Sequence, residues 1–231
     1  MTSVTTTSTS RHSSSSGRAP RLAADVEVTA RVDGDLNAVV AKSSDVAWAK
    51  QVHGSRVLVV DGPGCAGEGD ALVTTTPGLR LAVRAADCGP LVLAAAGGRP
   101  CVAVAHVGWR GARDGVVAAA AGAVRRLSGS DEVRGWLGPC IRPCCYAFGG
   151  HDLDALAAAL GDGVRATTAT GGLALDLPAA IGLAAASAGV RLTGADGRCT
   201  ACHRDAAGAP TFYSHRARGD TARHGVLACL P

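Results

Sequence analysis

Aromatic side chains are scarce. Three Trp, two Tyr and two Phe make up 3% of the 231 residues, so Ala, Val and Leu must do most of the packing. Charge of one sign is lacking too. The formal charge is +4, but Arg11, Arg18 and Arg21 precede the first acid, and beyond them 20 basic residues face 19 acidic ones. That balance gives no support to a nucleic-acid-binding face. Long hydrophobic runs are missing as well. The uncharged apolar stretch at residues 178–190 is too short to span a bilayer and contains Gly and Ser, so no membrane span is expected. Residues 2–16 hold twelve Ser or Thr and no apolar segment, so they do not read as an export signal. Residues 1–20 read as a disordered, solvated tail, because they cannot bury enough apolar surface to offset chain entropy.

What is present suits a folded enzyme-sized domain. Hydrophobic residues make up 47% and charged residues 18%, enough for a full core. The length fits one compact domain or two small ones. Nine cysteines stand out. The count is odd, the chain is long and no export signal is visible. A reducing cytoplasm with thiol or metal chemistry is therefore expected, and not a disulfide framework.

The folded part is expected from residue 22 onward. Val26-Glu27-Val28-Thr29-Ala30 alternates at period two and predicts a strand, Asp33-Gly34 a hairpin turn, and residues 36–41 its partner strand. Residues 46–52 and 56–60 read as strands around the turn His53-Gly54-Ser55, and residues 61–69 as a Gly-rich loop. Apolar runs at 79–85, 91–95 and 102–105 read as buried strands. Residues 111–127 have helical length. A strand follows at 133–137. Helices are predicted at 152–160, with Asp152 as N-cap, and at 176–188, with Pro178 in the first turn. Strands at 211–215 and 225–230 close the chain. The expectation is a mixed α/β or α+β fold in one domain, residues 22–231.

Four segments could carry chemistry. His53, Cys88 and His106 each fall at a strand end beside a Gly-rich bend, so they could converge on one rim of a sheet. Two imidazoles and one thiolate suit Zn²⁺ and leave a fourth position open, the arrangement of catalytic zinc. No local ligand motif joins them, so spacing alone leaves open three separate, unrelated residues. Cys199-Thr200-Ala201-Cys202-His203 reads literally as a c-type haem attachment motif. Haem attachment goes with export, however, and the sole Met is Met1, so no axial Met is at hand. A second, structural zinc from this motif and the Cys140, Cys144 and Cys145 group stays open beside plain thiols. Gly138-Pro139-Cys140-Ile141-Arg142-Pro143-Cys144-Cys145-Tyr146 predicts a rigid turn whose N–H groups and Cys140 thiol could face an anion. Trp109-Arg110-Gly111 puts a flat ring and a planar guanidinium beside His106, suited to phosphate or carboxylate or to an ordinary salt bridge.

Taken together and in order, Gln51-Val52-His53-Gly54, Ala86-Asp87-Cys88, His106-x-Gly108-Trp109-Arg110-Gly111 and Gly138-Pro139-Cys140-Ile141 resemble the laccase-domain family. The likeness continues through Tyr146 and Cys199-Thr200 to residues 212–216 and covers roughly residues 45–231. It implies a single-domain fold with sheets sandwiched between helices. It also implies a zinc site, or a copper site on the older assignment, on His53, Cys88 and His106. The implied activity is phosphorolysis of adenosine, inosine and methylthioadenosine, together with adenosine deamination, so the partners would be a small nucleoside and phosphate. In that reading Asp87 or Cys140 shuttles a proton, Arg110 and Arg216 hold the anion, and Trp109 contacts substrate. Two departures stand out. The stretch from Val26 to Ala49 is shorter than in the family, with only Arg31-Val32-Asp33-Gly34 similar to its usual loop. The family's Ser-Tyr-Arg-Arg is Ser214-His215-Arg216-Ala217 here.

Three other readings compete. A multicopper phenol oxidase needs more His than the seven present, of which His12 lies in the tail. A hydrolase of peptidoglycan precursors could use Cys88 as nucleophile beside His106. A zinc-stabilised interaction module without turnover is the third.

Overall fold

The computed structural model describes residues 22–231; the tail expected at residues 1–20 lies outside them. In chain order the first half runs β1 Asp25–Thr29, α1 Leu36–Lys42, β2 Val46–Lys50, β3 Val57–Val59, β4 Gly64–Glu68, β5 Ala71–Thr74, β6 Arg80–Ala85, β7 Gly89–Ala95 and β8 Val102–Val107. The second half runs α2 Trp109–Arg113, α3 Val116–Ser128, β9 Val133–Leu137, α4 Gly150–Leu160, β10 Arg165–Thr167, β11 Leu173–Leu175, α5 Leu177–Ser187, β12 Val190–Ala195, α6 His215–Arg218 and β13 His224–Cys229.

The strands form a five-stranded sheet in the order β1-β13-β6-β2-β4 and a six-stranded sheet in the order β12-β9-β7-β8-β5-β3. A third pair, β10 with β11, stands apart. Period-two alternation decides how the two large sheets stack. Ala47, Leu81, Val83 and Val226 of the first sheet meet Leu72, Val92, Val102 and Val104 of the second. The opposite face of the first sheet offers Val46, Ala82 and Leu227, which Leu36 and Val40 of α1 cover. The opposite face of the second offers Val73, Leu91, Leu93 and Ala103, packed against Val117, Ala120, Ala121 and Val124 of α3 and against α5. The fold is thus mixed α/β, with two sheets between helices, as expected. Alanine on the helix faces suits this packing, since few bulky rings are present to fill a wider gap.

Several local expectations are corrected. Residues 36–41 form a helix, not a hairpin strand. Leu36 and Val40 are four apart and bury together on one face, and Asp35 caps the helix by accepting the Asn37 N–H (3.0 Å). The loop at 61–69 contains β4, and β5, β10, β11 and β12 went unanticipated. The helix at 111–127 is two helices, because Gly115 takes a left-handed conformation (φ 87°) between α2 and α3. Asp152 lies inside α4, whose N-cap is Gly149. Residues 211–215 are not a strand; Ser214 instead caps the short α6. The helix expected at 176–188 does form as α5, with Pro178 in its first turn and Asp176 as the cap, accepting the Ala179 N–H.

β13 carries an unusual buried group. Both ring nitrogens of His224 are buried without a hydrogen-bond partner, with Phe212 and Tyr213 at 5.0 and 6.5 Å between ring centroids. Burial, with the charges of Arg223, Arg198 and Arg218 added and Asp220 opposing, holds its pKa down at about 3. The unfolded chain therefore binds a proton below about pH 6.5, whereas the fold does not until about 3. Stability must fall as pH drops through that window, by at most ~1.4 kcal/mol per unit from this group. His224→Leu should flatten the dependence of the urea midpoint on pH between 6.5 and 5. Wild-type and variant lines of equal slope would contradict the assignment.

Candidate metal centre and active-site cleft

One carboxylate organises the centre. Asp70 precedes β5 and is fully buried. It accepts the backbone N–H groups of Val52 (3.2 Å), His53 (2.9 Å) and Gly54 (2.7 Å). It also accepts Nδ1–H of His106 at 2.9 Å. The ladder between β5 and β8 sets this up, because the His106 N–H donates to the Asp70 carbonyl at 2.7 Å. These bonds hold the Asp70 carboxyl below its ordinary pKa, against the opposing effect of burial. They fix the His106 tautomer as well. With Nδ1–H held by Asp70, Nε2 is the nitrogen presented to a metal, which would displace the proton it carries.

His53 and Asp87 are the only non-glycine residues with positive φ among the described residues, at 61° and 102°. Such backbone is costly and persists where surrounding bonds over-determine it. For His53 the three N–H bonds to Asp70 do this. Gln51 anchors the same turn, its amide exchanging two hydrogen bonds with the Arg84 backbone (2.7 and 2.9 Å) and so continuing the β2–β6 pairing. For Asp87 the carboxylate accepts the Thr200 hydroxyl and the Arg216 N–H, each at 2.7 Å. Cys88 follows at the crossing from β6 of one sheet to β7 of the other.

His53, Cys88 and His106 come together as the sequence suggested. Their ligating atoms all lie within 4.8 Å of one another, and Cys88 Sγ is 4.0 Å from His53 Nε2. Tetrahedral zinc with ordinary Zn–N and Zn–S bonds needs separations of about 3.3–3.8 Å, so a small contraction suffices. Gly108 makes the approach feasible: a Cβ there would sit 3.1 Å from Cys88 Sγ and 3.3 Å from the His53 ring. Burial pushes the Cys88 thiol up, but His106 and then His53 outweigh it and bring the pKa down to about 6. Burial likewise lowers His106, and the charges of Cys88 and Asp70 raise it to about 9. The site thus favours a thiolate, the form that binds metal. Two neutral-capable imidazoles, one thiolate and a carboxylate behind one imidazole form a donor set that fits Zn²⁺.

The centre opens on a cleft of about 490 Å³, within the range of small-molecule sites. Lys50, Arg84, Arg216 and Arg223 line it, and Asp87 is the one acid among the lining residues. Lys50 pairs with Glu68, but Arg84, Arg216 and Arg223 make no ion pair among the described residues and donate to backbone carbonyls or Asn37. Burial lowers the pKa of Arg84, and the nearby Arg223 lowers it further. Tyr146 and His215 complete the wall.

The remaining candidates fall elsewhere. Arg216 lines the cleft with its guanidinium over the Tyr146 ring (4.8 Å). Trp109 and Arg110 do not line it. Arg110 is exposed and lies on the Trp109 ring at 4.4 Å, and Trp109 meets Phe148, which meets Tyr146. Arg110 belongs to the five-residue α2, and neither it nor Trp109 is in reach of an anion held in the cleft by the lining arginines. Cys140 is wholly buried, and burial drives its thiol far above the ordinary range, so it stays protonated. Asp70, Arg84 and Arg223 were missed from the sequence. For Asp70 the signal was an acid placed directly before the apolar run Ala71-Leu72-Val73.

Residues 24–231 match the family described as multi-copper polyphenol oxidoreductase laccase. The chain belongs to that family. Purine nucleoside phosphorylase Rv2149c of Mycobacterium tuberculosis is 37% identical over 188 residues, which cover 80% of this chain and 72% of the relative. A purine nucleoside phosphorylase of Corynebacterium glutamicum is 30% identical over 213 residues, covering 90% and 83%. The solved structure of the Bacillus licheniformis hypothetical protein YfiH superposes with a TM-score of 0.72 at 27% identity, covering 85% of this chain and 79% of that one. The laccase family's name speaks of several coppers, yet beyond His53 and His106 the histidines of this member form no further metal-ligand group among the described residues. His151 is exposed, His203 bonds Thr211 and His224 is buried in β13. Among the described residues, metal-ligand groups occur at two places, and only one contains His. No described helix is long and apolar enough to cross a membrane.

Because Asp70 orients His106 and the His53 turn, Asp70→Asn should weaken zinc binding by roughly 10–100-fold. Competition against a fluorescent chelator measures this, with the exposed Asp114→Asn as control. Unchanged affinity in a folded Asp70→Asn protein would contradict the role given to Asp70.

Proposed function

We propose that this chain is a zinc-dependent purine nucleoside phosphorylase acting on adenosine, inosine and methylthioadenosine, with adenosine deamination as a second activity. The carrying observation is the joint one: a His₂Cys centre on the wall of a cleft whose arginine guanidinium groups have no carboxylate partner among the described residues. The names of the curated relatives point the same way. Zinc held by His53, Cys88 and His106 would supply Lewis acidity toward an oxygen nucleophile or leaving group.

The chain's own residues then divide the work. Guanidinium groups with unused donors bind phosphate oxygens through charge-assisted bonds, which gives Arg216, Arg84 and Arg223 the anion. Repulsion between Arg84 and Arg223 is relieved when an anion sits between them. The Tyr146 ring offers a flat wall to the nucleoside. Asp87 holds Thr200 and the Arg216 backbone in place, so it positions the cleft, and as the one acid among the lining residues it is the group to pass a proton to or from the base. Cys140, buried and protonated, is left out of proton transfer. Trp109 and Arg110 back the Tyr146 wall through Phe148.

A second reading has one observation in its favour. Cys88, His106 and Asp70 run thiol, imidazole, carboxylate, the order of a nucleophilic triad. This reading makes the chain a thiol hydrolase of peptide-like substrates such as peptidoglycan precursors.

Adenosine incubated with the pure protein, with and without phosphate, separates the readings by chromatography. Adenine that appears only with phosphate supports phosphorolysis, and inosine in either case supports deamination. No turnover of adenosine, together with cleavage of a muropeptide precursor that iodoacetamide abolishes, favours the hydrolase. Within the phosphorolysis reading, Arg216→Lys keeps the charge but loses the planar fork. It should raise the phosphate requirement about tenfold, ~1.4 kcal/mol of binding. Arg110→Lys should move it by less than about threefold, ~0.6 kcal/mol. A larger effect at Arg110 than at Arg216 would place the anion outside the cleft.

A further inference from the structure

A second group of metal-ligating side chains lies away from the cleft floor. Cys144, Cys145, Cys199 and Cys202 have sulfur atoms all within 4.8 Å of one another. Cys144 Sγ and Cys202 Sγ are 3.8 Å apart. Zn–S bonds of about 2.3 Å at tetrahedral angles put sulfurs about 3.8 Å apart. A disulfide needs about 2.05 Å, and Cys144 and Cys145 are sequence neighbours, a poor geometry for bridging each other. All four are free thiols.

The local backbone has the form that holds a metal. Cys144 and Cys145 end a one-turn 3-10 helix, Pro143–Cys145, and Cys199 and Cys202 are spaced C-x-x-C on a tight turn. A backbone bond fastens the two segments together, Thr200 N–H to the Cys140 carbonyl at 3.2 Å, and another closes the C-x-x-C turn itself, His203 N–H to the Cys199 carbonyl at 2.9 Å. Cys199 is buried, while Cys144 and Cys202 are exposed, so a metal can reach the site from solvent. The literal C-x-x-C-H reading as haem attachment fails here, because His203 is engaged by Thr211 at 2.8 Å and the thiols face two other cysteines.

We infer that Cys144, Cys145, Cys199 and Cys202 bind a structural zinc ion in a tetrahedral four-thiolate site, separate from the His53–Cys88–His106 centre. Four protein ligands leave no open position, so this zinc is structural and does not take part in turnover. It staples residues 58 apart in sequence. Both stapled segments reach the cleft wall. One leads into Tyr146 and the other carries Thr200, whose hydroxyl donates to Asp87. The inference stands apart from the proposed activity, since it concerns metal stoichiometry and spectroscopy alone.

The test uses the full chain, purified under reductant and equilibrated with zinc, with metal counted by plasma mass spectrometry. Cys202→Ser and Cys144→Ser should each lose one equivalent relative to wild type and melt at lower temperature, and His53→Ala should keep that equivalent. Cobalt substituted into His53→Ala should show intense sulfur-to-metal charge transfer and tetrahedral d–d bands of a four-thiolate site. If the cysteine variants fail to fold, the cobalt spectrum still decides. Equal zinc in wild type and Cys202→Ser, no thiolate bands in His53→Ala, a Cys144–Cys202 disulfide under reductant, or iron with acid-labile sulfide would each overturn the assignment.

Discussion

The structure of the centre depends on the buried bond between Asp70 and His106. A single carboxylate, shielded from solvent, accepts three consecutive N–H groups of the His53 turn and the Nδ1–H of His106. A carboxylate buried without such donors would be costly, and with them it becomes rigid. The left-handed backbone of His53 is tolerable because those three bonds hold it. Two of the three ligands thus answer to one side chain that is not itself a ligand.

The third ligand depends on the stacking of the sheets. Cys88 sits where the chain leaves β6 in the five-stranded sheet and enters β7 in the six-stranded one, and β8 pairs with β7. A crossing point between two stacked sheets must lie at their rim, which brings Cys88 to the end of β8 and to the turn after β2. The aromatic-poor, alanine-rich layers let the sheets and helices pack closely there. Gly108 removes the last obstruction between Cys88 and His53. The positive cleft follows from the same rim, because Arg84 is the last residue but one of β6, Arg223 directly precedes β13 and Arg216 is the second residue of α6.

Much of this was legible in the sequence, and the gaps have physical causes. His53, Cys88 and His106 stand beside glycine-rich bends at the ends of apolar runs, so both type and position marked them. Short apolar runs, and period-two alternation in β1, marked most strands of the two large sheets. Leu36–Lys42 misled, because Leu36, Ala38 and Val40 alternate as a strand would, while the burial of Leu36 with Val40 and the Asp35 cap make a helix. Asp70 was passed over because its strand, Ala71–Thr74, was not recognised, and an acid without an element has no assigned direction. Arg84 and Arg223 lie 139 positions apart in the numbering, and only the antiparallel pairing of β13 with β6 brings them to one wall. Arg110 looked suited to an anion from its place in the sequence, but it turned outward onto Trp109 once α2 formed.

The central claim is that Asp70 presents His106 through Nε2 to a metal shared with His53 and Cys88. Crystals of zinc-loaded protein, measured on both sides of the zinc absorption edge, test it most directly. The account predicts an anomalous peak bonded to His53, to Cys88 Sγ and to His106 Nε2, with His106 Nδ1 still on Asp70. A peak bonded to His106 Nδ1 with Asp70 turned away, or no peak among these three residues, would contradict it.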